Sequence, residues 1–289
     1  MLENNQISLL FWKTQKATFG LPRLESSMST EFGLKKRSGI IHYVDLVFVV
    51  AWKNVKLRYK NSFFGFLWSL LNPLLFLAIF TFIFSQAFPD IENYPLFALS
   101  GLIFWAFFST TSNHILGSVV ENASVLRSVY VPPIVFPVSQ LIAGLINLLI
   151  SFIPFGFIMY FLGFEPSWVN WLVIPCALLF ALFTFGFSVC ICAINVYFRD
   201  MSMLWNSIQP ALFYFTPIAY SFTLVPESMR WVIQFNPLYH FIELFRSVLY
   251  HGVVPSLDQV MITCGLTVGS LLLGWLVFSK LKKGFIANY

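Results

Sequence analysis

From residue 64 onward the chain alternates long apolar runs with short polar breaks, a rhythm that predicts membrane-spanning helices. A spanning helix needs about 20 predominantly apolar residues. Runs of that size fall at 64–88, 95–120, 134–162, 168–196, 203–222 and 259–279. Pro137, Pro154, Pro175, Pro210 and Pro217 interrupt them, which a membrane helix tolerates where neighbours satisfy the freed carbonyls. Residues 41–60 follow a different pattern. Val44, Val47, Phe48, Ala51, Trp52, Val55 and Tyr59 share one helical face, while Lys53, Lys56 and Lys60 share the opposite one. Such a helix lies in the plane of the membrane interface, lysines among the headgroups. Arg58 stands apart from the lysines, at the edge of the apolar face near Asn54.

The polar breaks carry their own predictions. ENASVLRSVY at 121–130 is amphipathic and is closed by Val131-Pro132-Pro133. Two prolines stop any continuous helix there, so a separate short helix is expected in that loop. Residues 223–258 are apolar yet carry Glu227, Arg230, His240, Glu243, Arg246 and His251. Asn236-Pro237 divides this stretch into two helical pieces. At 1.5 Å per residue each reaches roughly 15 to 21 Å, short of a hydrocarbon core of about 30 Å. They are predicted to form a re-entrant hairpin dipping into the outer leaflet.

Composition agrees with a membrane protein. Hydrophobic residues make up 58% and charged residues 10%, against a soluble norm of about a quarter charged. The net charge of +5 does not point to nucleic acid, because most basic residues flank apolar runs, where they orient the protein and meet lipid headgroups. With the N-terminus inside, only Arg230 and Arg246 of the 17 Lys and Arg fall outside, a decisive positive-inside bias. The predicted fold is therefore all-α and polytopic. It has six transmembrane helices, an N-terminal amphipathic interfacial helix, an external re-entrant hairpin and both termini cytoplasmic. Residues 1–40 form a cytoplasmic tail before a transmembrane domain at 41–289. Glu3 occupies a position where a secretion signal is basic, and no apolar core follows before Gly20, so no cleaved signal is expected.

Several chemistries are excluded. No GxxxxGK followed by Ser or Thr occurs, so the chain does not itself cradle a nucleotide. HExxH, GxSxG and paired-Asp clusters are absent too, leaving no catalytic or metal-ligating set. Cys176, Cys190, Cys192 and Cys264 lie inside apolar runs without metal-site or redox spacing and read as packed thiols. Charges inside the spans are nearly absent, which counts against an ion-coupled pump. A membrane pathway powered from elsewhere remains.

LRYKNSFFGFLWSLLNP, the NVYFRD turn, FTPIAY, and LVP followed by FNPLYHFIELFR together resemble the ABC-2 type permeases. The similarity is strongest to the polysaccharide-export branch, which carries O-antigen and related lipid-linked glycans, with teichoic acid exporters nearby. It runs from about residue 41 to the C-terminus and leaves out the first forty residues. The resemblance implies a homodimer of six-helix subunits in the bacterial inner membrane, joined on the cytoplasmic face by two ATPase subunits. ATP and magnesium belong to those partners, and this chain needs no cofactor. The substrate would be a polysaccharide on polyprenyl pyrophosphate, with membrane lipids as the remaining partners and no nucleic acid.

Residue by residue, the helix at 41–61 looks like a cytoplasmic gate, with Asn54, Arg58, Tyr59 and Lys60 at its end. Residues 121–130 look like the coupling helix seated in the ATPase, so Glu121, Leu126, Arg127 and Tyr130 are coupling candidates beside Arg199 and Asp200 of the NVYFRD turn. Residues 226–250 look like an external gate, carried by Asn236, Pro237, Tyr239, Glu243 and Arg246. Glu243 and Arg246 sit at i,i+3, a spacing that allows an ion pair. Aromatic rings offer sliding contact to the C–H faces of sugars, and Phe63, Phe64, Trp68, Tyr214, Phe215 and Tyr220 are the channel candidates. The same residue types also serve as lipid-facing filler and interface belts. A diphosphate will not enter hydrocarbon unpaired. Arg58 at the mouth of the first span can pair with it bidentately, or snorkel to a lipid phosphate. Two other readings fit parts of the pattern. One is an ABC-2 permease for teichoic acid, lipid or drug; the other is an integral membrane glycan-transfer enzyme, for which the outer-face acids are too scattered.

Overall fold

Helices α1 (Ile40–Tyr59), α2 (Leu67–Phe84), α3 (Tyr94–Glu121), α4 (Ala123–Ser128) and α5 (Val135–Phe161) are followed by α6 (Val173–Tyr197), α7 (Asp200–Phe215), α8 (Glu227–Gln234), α9 (Pro237–Leu249) and α10 (Leu257–Leu281). This computed structural model describes residues 40–59, 67–89, 91–128, 131–163 and 167–285, the side chains of 40–42, 58–59, 67–70, 72 and 73 excepted. Among the described residues every regular element is helical. The chain separates after Leu46 into two units; of the first, only residues 40–46 are described, as the opening of α1.

Among the described residues, four helical stretches are long and apolar enough to cross a membrane: Tyr94–Ser128, Val135–Phe161, Trp168–Tyr197 and Leu257–Gly284. These correspond to the second, third, fourth and last predicted spans. The stretch predicted at 203–222 forms a shorter helix. α7 begins at Asp200 and stops at Phe215 after 16 residues, a rise of about 24 Å. The cause lies in Pro217, because a residue before proline is pushed out of the helical region. Thr216 takes φ −91° and ψ 129°, an extended conformation. The same rule divides α8 from α9, where Asn236 before Pro237 is also extended.

The core is built around α3 and α6. Leu96, Leu99, Ile103, Phe104, Phe180 and Phe241 are among its fully buried side chains. α9 inserts its aromatic face into it. Phe241 lies 4.8 Å from Phe183 and 5.0 Å from Phe180 between ring centroids, and Phe245 meets Phe180 edge-on at 5.6 Å. α10 meets α6 along small residues, with Thr267 donating to the Leu179 carbonyl and Ser270 to the Phe183 carbonyl. At Gly186 and Gly274 the two backbones touch, and a Cβ on either glycine would strike the other helix. Small residues permit this close approach in membranes. Ser256 and Gln259 cap the start of α10 reciprocally, which satisfies two otherwise orphaned donors.

Candidate functional site

Sequence-predicted gate residues converge where α7 ends and α9 begins. Asn236 uses both halves of its amide. Its Oδ1 accepts from the Leu238 N–H at 3.0 Å, capping α9, and its Nδ2 donates to Thr216 Oγ1 at 2.8 Å. Thr216 in turn donates to the Leu212 carbonyl inside α7. The unwound chain beyond Thr216 exposes three carbonyls in succession, and a side chain reaches each. Arg246 donates from Nη1 to the Pro217 carbonyl and from Nη2 to the Ile218 carbonyl, both at 2.7 Å. Tyr94 donates its phenol proton to the Ala219 carbonyl at 2.8 Å. Buried backbone polar groups need such partners, and this break obtains them from α9 and α3.

Arg246 is 1% exposed and ion-paired at 3.1 Å with Glu243, which keeps partial access to solvent. Its guanidinium also lies 3.7 Å from the Phe97 ring centroid, a cation–π distance. The i,i+3 pair read from the sequence therefore forms, but its cation is buried in the core rather than held at a headgroup surface. Gly101 of α3 makes room for it, since a Cβ there would come within 3.1 Å of Ile218 and 3.5 Å of Arg246 Nη2. Pro237 opens α9 at its first turn. Tyr239 stacks on Phe222 at 4.9 Å. Tyr250, closing α9, donates to the Glu92 carbonyl. Burial raises its phenol above the ordinary range, with Glu92 adding and Arg246 opposing, so it stays protonated as a donor.

A second polar cluster joins α3 to α7. Gln209 is buried, accepts from Ser109 Oγ and Asn113 Nδ2 at 3.0 Å each, and donates to Ser112 Oγ at 3.1 Å. Trp205 donates its indole proton to the same Ser112 oxygen at 3.1 Å. Beside this cluster lies a cavity of about 380 Å³ whose wall includes Trp105, Ser109, Gln209, Phe213 and Tyr214. None of the cluster residues was singled out from the sequence. The signal was present as Ser109, Ser112 and Asn113 at i, i+3 and i+4, facing Trp205 and Gln209 at i and i+4.

The channel candidates divide. Tyr214 is 75% exposed and Phe215 39% exposed at the end of α7, and Tyr220 donates to the Tyr214 carbonyl at 3.1 Å. These three lie together. Trp68 falls in α2, its side chain outside the description, and Phe63 and Phe64 lie outside the described residues.

Among the cytoplasmic gate candidates, Asn54 donates to Ser139 Oγ of α5 at 3.4 Å. Arg58 and Tyr59 are placed in α1 by backbone only, and Lys60 lies outside the described residues. Lys56 sits 5.9 Å over the Trp52 ring one turn earlier on the same helix, so it borders the apolar face rather than lying opposite it as the sequence pattern predicts, because residues four apart are neighbours on a helix surface. Of the coupling candidates, Leu126 is buried with Ile115, Val119, Phe136, Val189 and Phe278. Glu121, Arg127, Arg199 and Asp200 are exposed, while Tyr130 lies outside the described residues. Among the described residues no group of three or more His, Cys, Asp or Glu is placed to hold a metal ion.

The chain belongs to the ABC-2 type transporter family, whose pattern it matches over residues 45–250. This confirms the resemblance carried by the four motifs and makes the chain a multi-pass membrane transport protein rather than an enzyme. It is 34% identical over 257 residues to the O-antigen export system permease protein RfbA of Klebsiella pneumoniae, covering 87% of this chain and 98% of the relative. RfbA of Myxococcus xanthus is 28% identical over 253 residues, 85% of this chain and 96% of that protein. The polysialic acid transport protein KpsM of Escherichia coli is 23% identical over 242 residues, 82% of this chain and 93% of its own length.

Proposed function

We propose that the chain is the transmembrane subunit of an exporter that moves a polyprenyl-pyrophosphate-linked polysaccharide of O-antigen type out of the cytoplasm. The observation that carries this reading is the match along almost the whole length of permeases named for O-antigen export. Polysialic acid transport in a more distant relative supports the same substrate class. The absence of a nucleotide-binding motif calls for a separate ATPase. α4 suits its docking, with Leu126 anchored in the core and Arg127 exposed.

In this reading two copies, each with six spans, enclose the path, and two ATPase subunits bind ATP and magnesium beneath them. α2 and α7 supply the first and fifth spans, α8 and α9 form the re-entrant external gate, and both termini are cytoplasmic. α9 spans about 20 Å over its 13 residues, too short to cross alone. The exposed Tyr214 and Phe215 offer the sugar a ring-lined surface. Copurification with a P-loop ATPase whose hydrolysis rises on adding lipid-linked glycan tests the proposal. A complex stimulated instead by a drug or a free phospholipid, and indifferent to the glycan, would assign the chain to another branch of the family.

A further inference from the structure

A cavity of about 730 Å³ opens between α4, α6 and α10, away from both clusters described above. Its size falls within the roughly 300–1,000 Å³ typical of sites for small molecules. The walls are hydrocarbon: Phe185 and Val189 of α6, Leu271, Trp275 and Phe278 of α10, and Leu126 of α4. Gly186 and Gly274 both line the cavity, at the place where the α6 and α10 backbones touch.

The chemistry changes at one end. Lys282 and Lys283, in the turn that follows α10, complete the lining. Both are exposed, and neither forms an ion pair among the described residues. Trp275 is 65% exposed on the same helix, an amphipathic ring of the kind that sits at headgroup level. A soluble anion would leave the apolar walls unused, and an uncharged hydrocarbon would leave the lysines unused. A molecule with an acyl chain and a negative head satisfies both, and basic pockets between membrane helices bind acidic lipid headgroups.

We propose that this groove is a binding site for an anionic phospholipid, its acyl chain lying along α6 and α10 and its phosphate held by Lys282 and Lys283. On the positive-inside bias this is a lipid of the cytoplasmic leaflet. The site is separate from the path proposed for the exported glycan, and its occupant packs against Leu126 and so steadies α4.

The test uses the purified full-length chain in neutral detergent, with bound lipid read by native mass spectrometry. Palmitoyl-oleoyl phosphatidylglycerol is compared with phosphatidylcholine carrying the same chains. Wild-type protein should retain the anionic phosphatidylglycerol preferentially. The Lys282→Gln, Lys283→Gln double variant should hold it about tenfold more weakly, as expected when charge-assisted bonds to phosphate are lost. Ser279→Phe, which places a ring in the groove, should do the same. Equal retention of the two lipids, or retention unchanged in either variant, overturns the proposal. A photo-crosslinker replacing Trp275 in native membranes provides an independent readout on correctly inserted protein. An adduct with the mass of an anionic phospholipid supports the site. An adduct with residues 1–39 of this chain, or with another protein, gives the groove a different occupant and overturns it.

Discussion

Asn236 donates a hydrogen bond to Thr216 at 2.8 Å, joining two residues that each precede a proline and each interrupt a helix. Proline forces both out of the helical region, and the broken ends satisfy one another. Removing the amide in Asn236→Ala loses a helix cap, a change of about 0.5–2 kcal/mol, together with an interhelical bond that averages about 0.6 kcal/mol in membrane proteins. Thermal unfolding in detergent should register a clear drop in midpoint. Asn236→Asp keeps the acceptor for Leu238 but loses the donor to Thr216 and places a carboxylate at a buried position, so it should recover at most the capping part of the loss. An unchanged midpoint in the alanine variant would mean that the two breaks are held by other contacts.

Arg246 has a larger role at the same place, because it serves two buried carbonyls and Glu243 at once. Losing the guanidinium leaves two buried carbonyls without a donor, each costing about 1–3 kcal/mol, and Glu243 without its partner. Arg246→Met should therefore give little folded protein in the membrane. Arg246→Lys should fold but unfold at lower temperature, since an ammonium lacks the planar fork that bridges both carbonyls. If lysine matches arginine, the bidentate geometry is incidental.

Gly186 and Gly274 set the separation of α6 and α10. Gly274→Ala pushes a methyl into the Gly186 backbone, and overpacking of this kind costs about 1–3 kcal/mol. Reduced thermal stability is the expected result. Gly265, whose Cβ would meet nothing within 4 Å on the same helix, serves as the control and should tolerate alanine.

Arg58→Ala should abolish export while leaving the complex with the ATPase intact, as judged by copurification and by glycan at the cell surface. Arg127→Glu should separate ATP hydrolysis from export, because it reverses a charge on α4. Normal export in the Arg58 variant would leave Arg58 as a lipid anchor. Hydrolysis and export both unchanged in the Arg127 variant would reduce α4 to a connecting turn.

Much of this fold is legible in the sequence because apolar runs and prolines act locally. α3, α5, α6 and α10 follow from run length alone, and the breaks at Pro217 and Pro237 follow from a rule about adjacent residues. The apolar run predicts a longer α7, because it continues through Pro217 while the helix stops at Phe215. What the sequence left hidden is long-range pairing with backbone. Arg246 binds the carbonyls of Pro217 and Ile218, and carbonyls carry no sequence signature. The burial of its charge was equally invisible, because it depends on Gly101 and Phe97 of a helix some 145 residues earlier. The Gln209 cluster was readable in principle, as polar residues at helical spacing on two apolar helices.

Deleting the gene in its native host and following the glycan tests the central claim most directly. An exporter of lipid-linked polysaccharide predicts that the polymer disappears from the cell surface and accumulates, still on its lipid carrier, on the cytoplasmic side, with both defects reversed by restoring this chain. Surface polysaccharide of normal amount and length in the deletion strain, with no cytoplasmic pool, would contradict it.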